Sequence, residues 1–494
     1  MLKRGPRSNT STNGGWGLQA FSDDDLETVH YASLELFEDV GIKIESKLAA
    51  DVYDGSGCKV EKIGRHWIVK VPGYIVEDCI RSTPKHVVLK GKSAEYDYSV
   101  DPRSVSFTTF GELIKIIDPE TRKIRQTTQK DLANIARLCD SIDEIKIIHR
   151  PVASLDKPLG THPVYNAQAL FANSSKHINI GPINTLNLQT IAKIAAAHLG
   201  GMDKFAERPI FTTIICPSSP LHLEKNAADM IVASAKIPGG GIVSHPVPLA
   251  GATNPMTLAG TMVNQNVEAL NALVLAQLTR KGTRVMFGTV GTIMDMRTGT
   301  TPFGAPELGM LSVAAAKMAR YYGLPSIIPG SHSDSKVLDA QVGYEAAITG
   351  LLGALAGANF VYGLGAFEDA LAFDYAKLMM DVEMVKMVLR IIGGIKMDED
   401  HMAVDVTRQV GPGGGFIAEE HTYKHMRNCF QPSLFDRNVR NTWEDLEVKD
   451  LNERAYLAAK KRIETHVPAP VAEETEKEVS EIIEEYLSEK SQMK

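Results

Sequence analysis

The densest chemistry in the chain sits in seven consecutive residues: Gly330, Ser331, His332, Ser333, Asp334, Ser335 and Lys336. They follow a short apolar run, Ile327–Pro329, and precede a long helical pattern. An imidazole, a carboxylate and an ammonium at the end of an apolar strand form the βα corner on which α/β enzymes place their chemistry. The same residue types also cap helices, because Ser and Asp oxygens accept from the free N–H groups of a first turn. Recurrence separates the two cases, and this strand–corner–helix unit recurs along the chain.

The other corners carry similar residues. Phe110 and Glu112 follow the first strand-like run, and His149 and Arg150 close the second. Asn184 follows the third, and His245 and Asn254 the fifth. Tyr362, Phe367 and Glu368 follow the eighth. If these ends converge, histidines, carboxylates and aromatics line one polar pocket with aromatic walls.

The elements that would converge them are regular. Strand-like runs lie at 105–110, 145–149, 178–181, 210–216, 242–248, 284–290, 326–329 and 359–363. Helical patterns alternate with them at 130–141, 164–174, 188–199, 225–235, 256–280, 306–322, 340–356 and 375–392. Alternation with short apolar strands predicts a parallel sheet buried on both faces. Eight units predict a closed (β/α)8 TIM barrel over residues 104–393. An open doubly wound sheet would announce a glycine-rich phosphate turn after its first strand. Here that turn reads FTTFGELIK, without GxGxxG. Residues 1–19 read as a flexible arm. Residues 20–103 read as an α+β cap covering one end of the barrel, opened by the capping pattern SDDDLE. Residues 394–494 read as a C-terminal helical extension. Ala- and Gly-rich helices such as LSVAAAKMARYYG permit close packing on strands or on a second subunit in a homo-oligomer.

Composition narrows the function. With 494 residues, 44% hydrophobic and 23% charged, the chain is an ordinary globular protein. A net charge of −7 and no basic stripe argue against nucleic acid. No apolar stretch is long enough to span a membrane, and the N-terminus lacks the apolar core of a secretory signal, so a cytoplasmic protein is expected. Five scattered cysteines without CxxC spacing are expected to be buried thiols. GxSxG and GxxxxGK[ST] are both missing. His421 and His425 have i,i+4 spacing, but no Glu follows the first and no carboxylate or cysteine stands beside the pair, so no metal site is expected.

Six segments in order give the chain a resemblance from about residue 20 to about 490. They are LETVHYASLELFEDVGIKI with VPGYIVEDCIRSTPKHVVL, DPETRKIRQTTQKDLANIARLCDSIDEI, SDSKVLDAQVGYEAAITGLLGALAGAN, GPGGGFIAEEHTYKHMR and QPSLFDR. The chain resembles the MttB superfamily, the trimethylamine methyltransferase family. The resemblance implies methyl transfer to the Co(I) of a corrinoid (cobalamin) carried by a separate, cognate corrinoid-binding protein. A DxHxxG-type motif, the mark of a chain that carries its own corrinoid, is missing. Trimethylamine members place a pyrrolysine at the seventh corner, where this sequence has ordinary residues and His332 lies closest to the slot. That departure implies the non-pyrrolysine branch and a quaternary amine: glycine betaine first, proline betaine or carnitine as alternatives. On this reading His332 and Glu112 are the catalytic candidates. Phe110, Tyr362 and Phe367 form an aromatic cage for the cation. His245 and Lys336, donors for a betaine carboxylate, complete the substrate-binding set with Asp334 and Glu368, and no metal is expected. Two rivals remain at this level: a barrel lyase using Lys336 as a Schiff base, and a non-catalytic betaine-binding protein.

Overall fold

The computed structural model describes residues 17–446 and 448–492. Eight parallel strands form one sheet: β1 (Ser106–Thr109), β2 (Ile147–His149), β3 (His177–Ile180), β4 (Phe211–Ile215), β5 (Gly241–Ser244), β6 (Arg284–Gly288), β7 (Ser326–Pro329) and β8 (Phe360–Leu364). A helix follows each: α1 (Gln129–Asp140), α2 (His162–Asn173), α3 (Thr185–Ala197), α4 (Lys225–Lys236), α5 (Leu258–Thr279), α6 (Pro306–Tyr321), α7 (Ala340–Ala356) and α8 (Tyr375–Ile392). Every strand is lined with apolar or β-branched residues and buried on both faces, as a parallel sheet inside a ring of helices requires. This is the expected (β/α)8 barrel.

The barrel closes unevenly. Strand β1 pairs with β8 in a regular parallel ladder interrupted by a bulge between Tyr362 and Leu364. Between β1 and β2 only a backbone bridge, Phe107 to Ile145, joins the strands. Threonine hydroxyls do the rest. Thr108 Oγ1 donates to Ile147 O at 2.7 Å and accepts from His149 N at 3.1 Å, and Thr109 Oγ1 donates to His149 O at 2.6 Å. Side-chain hydroxyls thus stand in for peptide groups along this seam.

The lower end of the barrel is plugged. The hairpin Val87–Leu89/Tyr98–Val100 pushes Val87, Leu89, Tyr98 and Val100 against interior residues Ile147, Ile214, Val243, Met286, Ile327 and Phe360. The cap therefore covers one end, as its position in the chain suggested. Its remaining helices lie on α5, whose buried polar residues receive them. Tyr53 Oη donates to Asn271 Oδ1 at 2.7 Å, and Asn266 Nδ2 donates to Ser33 Oγ and Tyr322 Oη at 2.9 Å each. The Ser22–Asp25 capping box opens the first helix, Asp23–Glu35.

The expected arm requires qualification. Its first sixteen residues lie outside the described residues, but Leu18 N donates to Leu355 O at 2.8 Å and its side chain packs on the core, so residues 17–19 are held. At the other end, helix Leu451–Thr465 packs on α8 and α1, and helix Glu473–Gln492 packs on α3 through Tyr486, whose hydroxyl meets Asn187 Nδ2 at 2.9 Å. Cys58, Cys79 and Cys139 are buried, and burial raises their thiols to about 11, 12 and 12. Cys216 and Cys429 are exposed, contrary to expectation, because they sit on the barrel mouth and on the C-terminal segment. Among the described residues no helix is long and apolar enough to cross a membrane.

Candidate active site

Strand ends β1, β2, β5, β7 and β8 deliver five rings to one spot at the open end of the barrel. His245 and His149 stack on Tyr362 with centroids 4.8 and 5.2 Å away, and lie 5.2 Å from each other. Phe110 stands 5.9 Å from Tyr362 and meets His332 edge-on at 4.8 Å. A sixth ring, Phe303, comes from the long loop after β6 and covers the cluster, 5.9 Å from Phe110 and 5.5 Å from His332. Phe110, His245, His332 and Tyr362 thus come together as expected.

The bulge in β8 makes room for His332. Gly363 adopts φ +146°, and a Cβ there would stand 1.9 Å from Gly330 O and 2.7 Å from His332 Cε1. Opposite it, Ser331 is held in the left-handed region at φ 62°, which a non-glycine residue adopts only when its surroundings enforce it. They do so here. Ser331 N donates to Thr349 Oγ1 at 2.9 Å, and Lys377 Nζ donates to Ser331 O and to Asp381 Oδ2 at 2.6 Å each. Burial pushes the Asp381 carboxyl up to about 6 despite that ammonium.

The imidazoles are neutral at physiological pH. Burial, then the neighbouring His245 and Arg150, holds His149 well below its ordinary value. Burial with Arg150 lowers His245 to about 3, and burial with Lys377 holds His332 well below its ordinary value. Neither ring nitrogen of His332 has a hydrogen-bond partner, nor do His245 Nε2, Arg150 Nε and Asn179 Oδ1. Buried polar atoms are almost always satisfied, so this concentration marks a place built for something else to bind.

Glu112 stands beside the rings rather than among them. At φ 81° its backbone is strained. Its carboxylate pairs with Arg150 Nη1 at 3.0 Å and accepts from Asn166 Nδ2 at 2.7 Å, with His162 Nε2 at 3.8 Å. Cys216, at the end of β4, is accessible, yet protein surrounds its thiol closely enough to push it up. Arg150 and Glu112 both act on that thiol, so it lines the concavity beside them.

Four expected residues lie at the rim. Asp334 accepts from Phe303 N at 2.7 Å and so anchors the covering loop; burial raises its carboxyl to about 6, with Asp369 adding to the shift. Lys336 points outward, 62% exposed, and pairs with Asp369 at 3.1 Å, so it is outside the ring cluster. Glu368 pairs with Lys115 at 3.1 Å. Phe367 is buried in the short hairpin Ala366–Phe367/Ala372–Phe373 and makes no ring contact with the cluster among the described residues. His149 and Arg150 are legible as strand-end residues but lie outside the site set expected from the sequence. Phe303 and the pair Lys377/Asp381 carry no strand-end signal; only the i,i+4 spacing of the pair could have flagged it.

Comparison with known proteins places this geometry. The sequence profile described as trimethylamine methyltransferase (MTTB) matches residues 7–491. The chain is 43% identical over 471 residues to trimethylamine methyltransferase MttB of Desulfitobacterium hafniense, covering 95% of this chain and 94% of that one. It is 34% identical over 489 residues to MttB of Methanosarcina barkeri, covering 98% of each. It is 32% identical over 454 residues to a glycine betaine methyltransferase of Desulfitobacterium hafniense, covering 90% of this chain and 92% of that one. Among solved structures, a hydroxylamine complex of MtmB superposes with a TM-score of 0.55 at 13% identity, over 91% of this chain and 89% of that one, and shares the fold. A barrel mouth lined with rings and a match along nearly the whole length lead to one conclusion: the chain belongs to the trimethylamine methyltransferase (MttB) family.

Proposed function

We propose that this protein transfers a methyl group from a quaternary amine, glycine betaine in the first instance, to Co(I) of a corrinoid carried by a partner protein. The observation that carries the reading is the buried ring cluster with unpartnered imidazole nitrogens at the barrel mouth. Aromatic faces attract a cation that has no hydrogen-bond donor, and neutral imidazoles add no charge to repel it. Phe110, Tyr362 and Phe303 supply the faces. A betaine carboxylate needs donors, and Arg150 Nε and His245 Nε2 are the free ones inside the mouth. Lys336, outward and paired, is replaced in that role by Arg150.

The chemistry asks little else of the protein. A corrinoid docked at the mouth would supply Co(I) as the nucleophile that accepts the methyl group, while the C–N electron pair would stay on nitrogen. A positive ammonium leaves as a neutral tertiary amine, dimethylglycine from glycine betaine, so no general acid is required. Positioning is then the main catalytic contribution. His332, fixed by the Ser331 turn, sets the position of the cation, and Glu112 orients Arg150. Phe303, over Phe110 and His332 at the open end, would lie on the path of an entering corrinoid.

Trimethylamine is the second reading, because the 43% identical relative carries that name while the betaine enzyme is 32% identical. The test incubates purified protein with cob(I)alamin and each of glycine betaine, proline betaine, carnitine and trimethylamine, and follows the visible spectrum of the cobalt. Methylation with a betaine and none with trimethylamine supports the proposal. The reverse pattern establishes the second reading, and no methylation with any amine overturns both.

A further inference from the structure

Away from the barrel mouth, residues 395–454 contain no buried residue among those described, yet they fold into short helices, the first capped by Asp398. A stretch of this size without an apolar core needs another source of cohesion, and metals or disulfides are the usual ones. Its one cysteine, Cys429, is free.

Three imidazoles meet in this stretch. The rings of His421 and His425 lie 4.3 Å apart, and those of His401 and His425 lie 4.8 Å apart. Asp400 joins them. Its Oδ2 stands 3.1 Å from His425 Nε2, a nitrogen that is buried and makes no hydrogen bond, and its carbonyl lies 2.9 Å from His421 Nε2. The ligand atoms of Asp400, His421 and His425 all fall within 4.8 Å of one another, as do those of Asp398, Asp400 and His401. The carboxylate at the rings is not Glu420, next to His421 in the sequence, but Asp400, which the fold brings from 21 residues before His421. Behind the rings, the Asn428 amide contacts His425 Nδ1 at 2.9 Å. With its oxygen turned inward, that amide accepts the Nδ1–H of an imidazole that ligates through Nε2. Lys424 Nζ holds the Asp400 carboxylate at 2.8 Å, a cation already seated on the ligand.

We propose that Asp400, His421 and His425, with His401 as the fourth ligand, bind a divalent transition metal of the zinc class. Imidazole and carboxylate donors without thiolate suit Zn(II) and its neighbours, and disfavour Mg(II) and Ca(II), which take oxygen shells. Bonds of about 2.0–2.2 Å draw the ligand atoms closer than they now stand, which rotation of these half-exposed side chains permits. Lys424 swings away to solvent as the metal takes its place. The bound ion ties helix Glu399–Met402 to helix Glu420–His425 and holds the exposed segment together.

The test uses the full-length chain, untagged and stripped with a chelator. Zn(II) is titrated by calorimetry and Co(II) by visible absorption. The expected result is one ion per chain, with the strong visible bands of tetrahedral Co(II), and slower proteolysis within 395–446 once metal is added. Asp400→Asn should weaken binding about 10–100-fold and the pair His421→Ala/His425→Ala abolish it. Lys424→Ala should tighten binding by removing the competing cation, an effect that a metal-free salt-bridge network cannot produce. No stoichiometric binding to the wild-type chain overturns the proposal, as does unchanged affinity in the double variant. Should the double variant fail to fold, the wild-type titration and Lys424→Ala decide.

Discussion

Replacing His332 by Ala should damage methyl transfer far more than it damages the fold. The ring touches Phe110, Phe303 and Tyr362, so its loss forfeits packing worth about 2–4 kcal/mol at a buried site. Both ring nitrogens, however, are buried without partners, and removing them returns about 1–3 kcal/mol each in relieved desolvation. The two effects nearly cancel, so stability at pH 7.5 should change by no more than about 1–2 kcal/mol. Acid provides an independent reading. The folded imidazole resists protonation while the unfolded one titrates at about 6.5, so the neutral ring costs no stability above that pH. As pH falls below about 6.5, the unfolded chain takes up a proton that the native chain refuses, at roughly 1.4 kcal/mol per unit, or about 2 kcal/mol by pH 5. The variant lacks this penalty. Urea unfolding at pH 7.5 and pH 5 should show wild type losing about 2 kcal/mol more than His332→Ala between the two. Turnover at pH 7.5 should fall at least about 100-fold, near 2.7 kcal/mol. Unfolding energy and turnover falling together, with no change in the acid slope, would refute the reasoning and leave His332 a packing residue.

Three further outcomes follow from the mouth. Phe110→Ala should raise KM for a quaternary amine about tenfold, near 1.4 kcal/mol, with little change in kcat; an unchanged KM removes Phe110 from the cation site. Gly363→Ala forces a Cβ against Gly330 O at positive φ and should cost about 3 kcal/mol or more in denaturant unfolding, while native stability would show that the bulge relaxes freely. Cys216 should alkylate slowly because its thiol is pushed up, and substrate should slow it further while Cys429 labelling, read by peptide mapping, stays constant; equal labelling with and without substrate puts Cys216 outside the occupied pocket.

The barrel was legible because its strands and helices alternate with distinct periodicities. The run Ser326–Pro329 and the helices Ala340–Ala356 and Tyr375–Ile392 match the expected ranges residue for residue. The rings Phe110, His245, His332 and Tyr362 were legible because strand ends in a barrel converge. Lys336 was not, since the left-handed turn at Ser331 carries the chain out over the rim within a few residues. Phe303 belongs to a loop whose path depends on a hydrogen bond to Asp334, which no periodicity encodes. Asp400 joins His421 and His425 only through tertiary folding, so a local reading of the pair does not find it.

The seam between β1 and β2 runs through the site itself. Below it lies the Phe107–Ile145 bridge and above it the Leu113–Val152 bridge; between them, among the described residues, threonine hydroxyls, one backbone bond from Glu112 N to Arg150 O at 2.7 Å and the Glu112–Arg150 ion pair span the gap. Seven of the eight joints between staves are nailed by backbone ladders, and this one is pegged. A carboxylate ligand that draws Arg150 away from Glu112 withdraws one peg. Substrate arrival would then loosen the hoop at the proposed site, and amide protons flanking Thr108 and His149 would exchange faster with ligand bound than without, the reverse of the protection a ligand normally confers.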